Sequence, residues 1–249
     1  MNIKLIALSI LMPVAVAVTA QTKDYVLDVK EFSQLVVSGP VNVEYWSDDA
    51  KAGKAEFTAD KKTADKLMFI NNGKGKLTIE TVFFESDTVR PELPTVKVYS
   101  RFLKQVQNSG DSTVRATGLR PTLEMKASVI GNGRLVVKDI DCGKMSGAIK
   151  TGNGTLVLAG KCDNATLSNT GAGSIQADNL QAKNASCRFF GTGTTGVWAT
   201  DVLSVKGVSG KLYYRDKPEK IRNFSLGVKI YTLEGLEWTG EPQPEEEKE

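Results

Sequence analysis

A short glycine-centred phrase recurs about every twenty residues through the second half of this 249-residue chain. The leading glycines of five copies are Gly110, Gly131, Gly152, Gly171 and Gly191. Successive copies are therefore 21, 21, 19 and 20 residues apart. In a last copy Gly210 corresponds to Gly193 and follows it by 17 residues. Repeats of this length are typical of solenoids, in which each copy forms one coil that packs on its neighbours.

The residues around each glycine predict the secondary structure of a coil. Apolar and polar residues alternate there, as in RLVVK from Arg134 and TLVLA from Thr155. Alternation with a period of two indicates β-strands, whereas helical repeats show apolar spacings of three and four. The chain is thus predicted to be all-β, a β-solenoid whose coils of two or three short strands stack about 4.8 Å apart. Six such coils would form a rod about 29 Å long.

Counting from the glycines predicts which side chains point into the solenoid. The first inward column contains Leu135, Val137, Leu156, Leu158, Ile175, Ala177, Thr195 and Val197. A second inward column contains Ala127, Ala148, Leu167 and Cys187. An outward row is predicted to contain Lys138, Ala159, Asp178 and Trp198. The glycines themselves are expected to supply φ values that other residues resist.

Three cysteines, an odd number, allow at most one bridge within the chain. Cys187 belongs to the predicted core, since free cysteine packs as a small hydrophobe. Cys142 and Cys162 are predicted to lie on neighbouring coils, one position out of register. Stacked coils bring Cα atoms to about 4.8 Å, within the disulfide range, so a Cys142–Cys162 bridge is allowed.

Residues 24–100 are predicted to contain further strands with less regular turns. Alternation marks residues 25–29, 34–38, 41–46, 54–59, 76–83 and 95–99 as strands, and residues 60–69 as the place for a short helical turn. The phrase LVVSGPVNVEYW from Leu35 resembles one repeat copy. We therefore expect this half to begin or cap the same solenoid, within a single domain of residues 21–240. A separate sandwich domain with a boundary near Ser100 is the alternative.

The first twenty residues have the pattern of an export signal. Lys4 precedes an almost continuously apolar run from Leu5 to Val18, and a small-residue ending predicts cleavage between Ala20 and Gln21. About 14 apolar residues are too few to cross a bilayer comfortably. No later apolar run is long enough for a membrane span, so the mature chain is predicted to be periplasmic, on the cell surface or extracellular. Residues 241–249 read as an acidic, disordered tail.

Composition excludes several classes of function. The sequence contains no histidine, which removes Ser-His-Asp and Cys-His nucleophile activation and histidine-containing zinc sites. There is no CxxC motif for a redox site. The 32 basic residues only slightly outnumber the 29 acidic ones, and they are scattered, without the basic stripe that binds nucleic acid. Neither a cofactor nor a metal ion is predicted.

The repeats and the two ends of the mature chain resemble one known family. FSQLVVSGPVNVEYW near the beginning, the series of SGxG-like phrases and the closing VSGKLYYRDKPEKI are similar to the putative auto-transporter adhesin, head GIN domain family. The resemblance spans roughly residues 31–230. It implies an exported bacterial protein, of a kind frequent in Bacteroidetes, with a right-handed parallel β-helix and a role in adhesion, and it supplies no catalytic residues.

Two classes of function follow. The first is an exported, non-enzymatic binding or surface-structural protein, with a glycan or a surface protein as partner. Trp198 is its candidate contact residue, because an exposed indole can stack on a sugar or anchor an interface. The opposing interpretation is that the C-terminal segment covers Trp198.

The second class is a carbohydrate-active, pectinase-like enzyme on the same fold. Its chemistry needs two or three carboxylates that converge on one bond. The candidates are Asp139, Asp141, Asp178 and Asp201, which recur near one corner of successive coils. The simpler interpretation is that aspartate serves there as a turn residue.

The ends of the predicted solenoid are a further candidate for contacts. The strand at residues 211–214 would have an open edge unless residues 219–238 cap it. An open edge can pair with another chain, so self-association through the solenoid ends is also predicted.

Overall fold

The computed structural model of the protein describes residues 22–83 and 92–233. It is a β-solenoid of about six turns, with 65% of residues in strands and 2% in helix. The described elements are β1 (Lys23–Asp28), β2 (Gln34–Ser38), β3 (Val43–Ser47), β4 (Lys54–Ala59), α1 (Lys61–Ala64), β5 (Leu67–Asn71), β6 (Lys76–Thr81), β7 (Val96–Ser100), β8 (Gln105–Asn108), β9 (Thr113–Thr117), β10 (Thr122–Ile130), β11 (Arg134–Thr151), β12 (Thr155–Asn169), β13 (Ser174–Phe189), β14 (Thr194–Gly207), β15 (Lys211–Tyr214), β16 (Lys220–Ser225) and β17 (Lys229–Thr232). The predicted fold is confirmed.

Each central coil has three sides, because the long strands β11 to β14 bend twice. In β11, residues 134–137 form side A, residues 140–143 form the corner side, and residues 144–149 form side B. Each side pairs in parallel with the same side of the next coil. Side A begins directly after the glycine turn, so the twenty-residue period of the sequence is one circuit of the three sides.

The first predicted inward column is confirmed. Its eight side chains are at most 1% exposed, Thr195 included. The alternation of apolar and polar residues was enough to predict this column, since residues two apart on a strand share one face. Burial of such side chains is the main source of stability for the fold, at about 1.5–3 kcal/mol for each large apolar residue.

The second inward column is confirmed at Ala127, Leu167 and Cys187 but is wrong at Ala148. Gly147, not Ala148, lies opposite the other three residues. The pairing of β10 with β11 shifts by one residue just before the turn, so this coil carries one residue more than its neighbours. An inserted residue moves every earlier side chain to the opposite face when positions are counted back from the glycine.

The predicted outward row is also wrong in part. Asp178 is 7% exposed and points away from solvent, although it was expected to be outward. Ala177 lies opposite Val197, and the next paired residue of the coil, Gln181, lies opposite Trp198. Three residues of β13 thus have no counterpart in β14, and Asp178 is the first of them. The corner of that coil bulges, and Asp178 and Trp198 do not occupy equivalent positions.

Close stacking of successive turns explains the recurrent glycine. At Gly191 a Cβ atom would collide with the backbone carbonyl of Gly171, and at Gly171 with that of Gly152. Gly152 also has a φ of +79°, but Gly191 does not lie in the left-handed region. The expected role of unusual φ values is therefore correct at some copies only. Gly131 is the opposite case, since its φ is +94° and a Cβ atom there would meet no close neighbour. Some turns therefore need glycine for space, some for its backbone conformation, and Gly152 for both.

Two buried asparagines hold the turns from inside. Asn169 is fully buried, and its Nδ2 donates to the carbonyls of Gly173 and Thr194, at 2.9 and 3.1 Å. Asn108 makes the same pattern of contacts in an earlier coil, to Ser112 and Arg134. The carbonyls of Gly173 and Ser112 also accept the backbone N–H groups of Thr194 and Arg134 in the next coil. The two amides therefore add a second, side-chain link between each turn and the coil that follows it.

The N-terminal strands join the same sheets in an order that differs from their order in the chain. β2 pairs on one side with β6 and on the other with β8, while β3 pairs with β7 and β9. The repeat-like phrase of β2 and β3 is therefore a true coil, and it lies between the coil of β6 and β7 and that of β8 and β9. The connection between β6 and β7 includes residues 84–91, outside the described residues.

Antiparallel strands close this end of the solenoid. β1 pairs with β4, β4 with β7, and β5 with β6, all antiparallel. The aromatic rings of Tyr25, Phe57 and Phe69 stack on one another there, with centroid distances of 4.9 and 5.8 Å. All six predicted strands of this half are present within two residues of their expected ends. The helical turn expected in residues 60–69 is α1, but β5 was not predicted.

At the other end, β17 pairs with β15 and β16 pairs with β14. The strand at residues 211–214 is thus capped by residues within the segment 219–238, which was one of the two alternatives expected from the sequence.

Among residues 22–83 and 92–233, no helix has the length and apolar character of a membrane span. The predicted signal segment 1–20, the Ala20–Gln21 cleavage site and the tail 241–249 lie outside the described residues. The single-domain assignment of residues 21–240 stays a prediction.

Candidate binding surface

The corner side of the central coils forms an open groove of about 550 Å³, here called the corner groove. Its lining comes from five successive coils and is mostly polar. The residues are Pro121, Thr122, Asp141, Cys142, Gly143, Lys161, Cys162, Asp163, Gln181, Lys183 and Thr200. Because the same side of each coil contributes, side chains recur along the groove at the spacing of the sheet, about 4.8 Å.

Ion pairs between coils run along the corner groove. Lys161 Nζ lies 3.2 Å from a carboxylate oxygen of Asp141, and Lys183 Nζ lies 2.8 Å from one of Asp163. A hydrogen bond from Lys183 to Asp163 raises the pKa of the ammonium group. All four side chains are at least 46% exposed, so solvent screens the pairs and they contribute little stability. They present charges of both signs to a partner.

The two groove cysteines are direct neighbours in the sheet. Cys142 and Cys162 are Cα partners in register, so the expected offset of one position is wrong. Both side chains are buried thiols, and burial raises the pKa of Cys142 to about 11 and that of Cys162 to about 12. Neutral thiols at this depth are poor nucleophiles. The register favours the bridge, whose Cα atoms would be about 4.8 Å apart, and the bridge stays a prediction.

Trp198 borders the corner groove but does not line it. The residue is half-buried, and it lies opposite Gln181, which does line the groove. The guanidinium carbon of Arg215 lies 5.0 Å from the centroid of the indole, a cation–π contact. Arg215 is held by Asn179 Oδ1 at 2.7 Å. The indole is thus partly covered, by a residue that precedes the C-terminal segment expected to cover it.

The four candidate aspartates have separate environments. Asp139 has a φ of +58°, and its carboxylate accepts the backbone N–H of Gly118 at 2.8 Å. Asp201 accepts a hydrogen bond from the hydroxyl of Thr200 at 2.7 Å. Asp141 pairs with a lysine as described above. Of the four, Asp141 is the one that lines the corner groove.

Asp178 differs from the other three because it is buried. Desolvation raises the pKa of its carboxyl group, and the nearby charge of Arg215 lowers it by less. Arg215 donates to the backbone carbonyl of Asp178, at 3.1 Å. Within the described part of the chain, no group of three or more cysteine, aspartate and glutamate residues could hold a metal ion.

Sequence reasoning missed the corner groove. The signal for it was present, since Asp141 and Lys161 are 20 residues apart, as are Asp163 and Lys183. Opposite charges at the period of a solenoid are expected to pair between neighbouring coils. Cys187, in contrast, is fully buried as predicted, and burial raises the pKa of its thiol to about 12.

Solved structures of proteins from Bacteroides fragilis and Parabacteroides distasonis have a similar fold. A putative adhesin from Bacteroides fragilis NCTC 9343 has a TM-score of 0.76 and 19% identity, over 86% of this chain and 97% of that one. A putative adhesin from Parabacteroides distasonis ATCC 8503 has a TM-score of 0.67 and 19% identity, over 86% and 97%.

A putative lipid binding protein from the same Parabacteroides distasonis strain has a TM-score of 0.66 and 22% identity, over 85% and 96% of the two chains. At these identities the likeness shows the fold alone. Among curated proteins, no relative matches the chain. The family described as putative auto-transporter adhesin, head GIN domain, matches residues 31–218, from the end of β1 to beyond β15. The chain belongs to this head GIN domain family.

Proposed function

We propose that the protein is an exported, non-enzymatic binding protein of the adhesin type, and that the corner groove receives its partner. The observation that carries the proposal is the groove itself, with ionic and hydrogen-bonding side chains repeated on five successive coils. A repeated polar surface suits a repeated polar ligand such as a glycan chain, whose hydroxyl groups donate and accept hydrogen bonds. The adhesin names of the family and of similar structures agree with this function.

The site would combine polar and aromatic contacts. Gln181 and Thr200 supply an amide and a hydroxyl group, and Lys161 and Asp163 supply charges. Trp198 lies beside Gln181 at the border, where its exposed part can contact the apolar face of a sugar ring. Arg215 already stacks on the indole and fixes its orientation, which lowers the entropic cost of binding.

The environments of the aspartates support a binding function over catalysis. A glycosidase needs a pair of carboxylates on either side of the scissile bond. Here Asp141 forms an ion pair with Lys161, while Asp139 and Asp201 accept hydrogen bonds from Gly118 and Thr200. Asp178, the buried one, is absent from the groove lining.

The test is a glycan-array and polysaccharide binding screen on the mature chain. The Gln181→Ala/Thr200→Ala variant is expected to lose most of the binding, and Trp198→Ala part of it. Lys150→Ala, which removes an exposed side chain directly after side B and outside the corner groove, is the matched control and should bind as the wild type does. Binding that survives all groove substitutions would contradict the proposed site.

The same screen tests the enzyme alternative. Product release from polygalacturonate is followed in parallel, together with the variants Asp178→Asn and Asp201→Asn. The proposal expects binding without any product. Product release that either substitution abolishes would make the protein a carbohydrate-active enzyme and overturn the proposal.

A structural role through end-to-end association is the second candidate, and the sheet edges favour it. Within residues 22–83 and 92–233, β1 and β5 at one end and β16 and β17 at the other each pair on one side only. Edge strands of this kind can pair with a second copy. Sedimentation is expected to show association that increases with concentration, and strictly monomeric behaviour would count against this role.

A further inference from the structure

A cluster of exposed apolar side chains lies at the end of side B and at the start of the turns that follow it, in the last coils of the solenoid. Phe190, Val208, Phe224 and Leu226 are 66, 59, 65 and 92% exposed. Backbone hydrogen bonds between successive coils place Phe190, Val208 and Leu226 in one column, and Phe224 lies in the next. Single exposed apolar residues are common, but four in adjacent positions mark an interaction surface.

Positive charges surround this cluster. Arg188 and Lys206 are stacked in the same column as Phe224, and Lys206 Nζ lies 5.7 Å from the centroid of the Phe224 ring. Lys220 and Arg222 follow on β16, both exposed. The three segments that build the surface, residues 184–190, 202–208 and 220–226, contain no aspartate or glutamate. We call this surface the basic apolar face.

The charge of the face identifies its partner. Two copies of this chain would bring four cations against four cations if the face paired with itself, which disfavours a symmetric dimer. A lipid bilayer with anionic headgroups supplies negative charge at the level of the cations and an apolar layer just beneath it. We propose that the basic apolar face docks on an anionic lipid bilayer.

The geometry fits an interfacial contact. Side chains stand roughly perpendicular to a sheet, so Arg188, Lys206 and Phe224, which are in register on neighbouring strands, project from the same side of it. Phe190, Val208 and Leu226 follow them two residues later, where the turns begin. Lysine and arginine can keep their charged ends among phosphates while their stems lie along apolar neighbours, as Lys206 does against Phe224. The face lies on side B and at the start of the turns that follow it, whereas the corner groove lies on the corner side. Lipid docking therefore does not depend on the partner proposed for the groove.

Flotation of the mature chain with vesicles tests the inference. One set of vesicles contains phosphatidylcholine alone, and the other contains equimolar phosphatidylcholine and phosphatidylglycerol. We expect binding to the anionic vesicles that weakens with salt, and little binding to the neutral ones. Phe224→Ser/Leu226→Ser is expected to lower the partition coefficient about tenfold or more. Arg188→Gln/Lys206→Gln should lower it roughly fivefold for each charge.

Leu123→Ser is the matched control, because Leu123 is 88% exposed on β10, outside the face. It should bind vesicles as the wild type does. Thermal unfolding of each variant checks that the fold is intact, which is expected at positions so exposed. Equal binding to neutral and anionic vesicles, no binding at all, or binding that the face variants leave unchanged would each overturn the inference. Capture of an acidic protein without vesicle binding would do so too.

Discussion

The regular coils from β10 to β15 and the N-terminal strands β1 to β7 belong to one solenoid but are specified in different ways. In the regular coils, each turn packs directly on the turn about twenty residues earlier, and glycines such as Gly191 leave no room for a side chain. In the N-terminal half, β6 and β7 are placed outside β2 and β3, against the order of the chain. In a repeat, each coil contacts only its neighbours in the sequence, so the stacking order follows from the chain order. The order of the inserted N-terminal strands depends instead on pairing between distant parts of the sequence.

The largest expected effect comes from adding one methyl group to a turn. Gly191→Ala places a Cβ against the Gly171 carbonyl, and we expect a loss of about 3 kcal/mol or more in the free energy of unfolding. Gly73→Ala is the counterpart in the N-terminal half, where φ is +71° and the space is open. It should cost about 1–2 kcal/mol. Urea unfolding measures both, and equal costs would contradict the stacking explanation.

Side-chain amides that bond backbone carbonyls occur in both halves of the solenoid, but at different depths. Asn169→Ala removes a side-chain donor from the carbonyls of Gly173 and Thr194 in a dry interior, although the Gly173 carbonyl keeps its bond from the backbone N–H of Thr194. The change should cost about 2 kcal/mol. Asn71→Ala removes a bond of 2.8 Å to the carbonyl of Val29 near the surface, where water can replace it. That change should cost about 1 kcal/mol. Urea unfolding midpoints measure both variants, and the midpoint of Asn169→Ala is expected to be the lower of the two. The reverse order would contradict this explanation.

The inward column could be predicted from the sequence, whereas the role of the buried asparagines could not. The inward column from Leu135 to Val197 could be predicted because alternation is a property of the strand alone. Asn169 was not predicted, since its role depends on carbonyls that come together only when two coils are stacked. Ala148 and Asp178 were misplaced because single coils contain extra residues, and counting from a glycine cannot detect them.

The candidate site was less predictable than the fold. Trp198 was predicted to lie in an outward row, and the residue is half-buried. Its contact with Arg215 could not be predicted, because it joins residues of different coils. The charges of the corner groove could have been found by their spacing. The position of β2 and β3 between two other coils could not have been predicted, because the sequence of a strand does not determine which strand it pairs with.

The buried carboxyl group of Asp178 is expected to make the stability of the fold depend on pH. Because burial raises the pKa of Asp178 above its ordinary value of 3.8, the ionised form destabilises the fold. The favourable contribution of the protonated group is complete below that value and is lost as pH rises through the folded pKa. Asp178→Asn should therefore raise the melting temperature at pH 7, by roughly 1–3 °C, and lose this advantage in acid. A variant less stable than wild type at pH 7 would contradict the assignment.

The smallest expected effect is in the N-terminal half. Glu56 accepts hydrogen bonds from Lys51 and Tyr99, and these lower the pKa of its carboxyl group below the ordinary 4.5. Its stabilisation is present above that value and is lost as pH falls through the folded pKa. Glu56→Gln should therefore be slightly less stable than wild type at pH 7 and equal to it in acid. Asp163→Asn, at the exposed pair in the groove, should leave thermal unfolding unchanged at both pH values.

The nested order of the N-terminal coil can be measured directly by disulfide trapping between outward positions. Val36 lies opposite both Thr78 of β6 and Gln107 of β8, one strand away on either side. The account predicts that the variant Val36→Cys/Gln107→Cys forms a bridge readily on mild oxidation. The variant Thr78→Cys/Gln107→Cys should not, since two strand spacings, about 9.6 Å, separate its thiols. A bridge in the second variant and none in the first would show that β6 lies between β2 and β8, and would contradict the account.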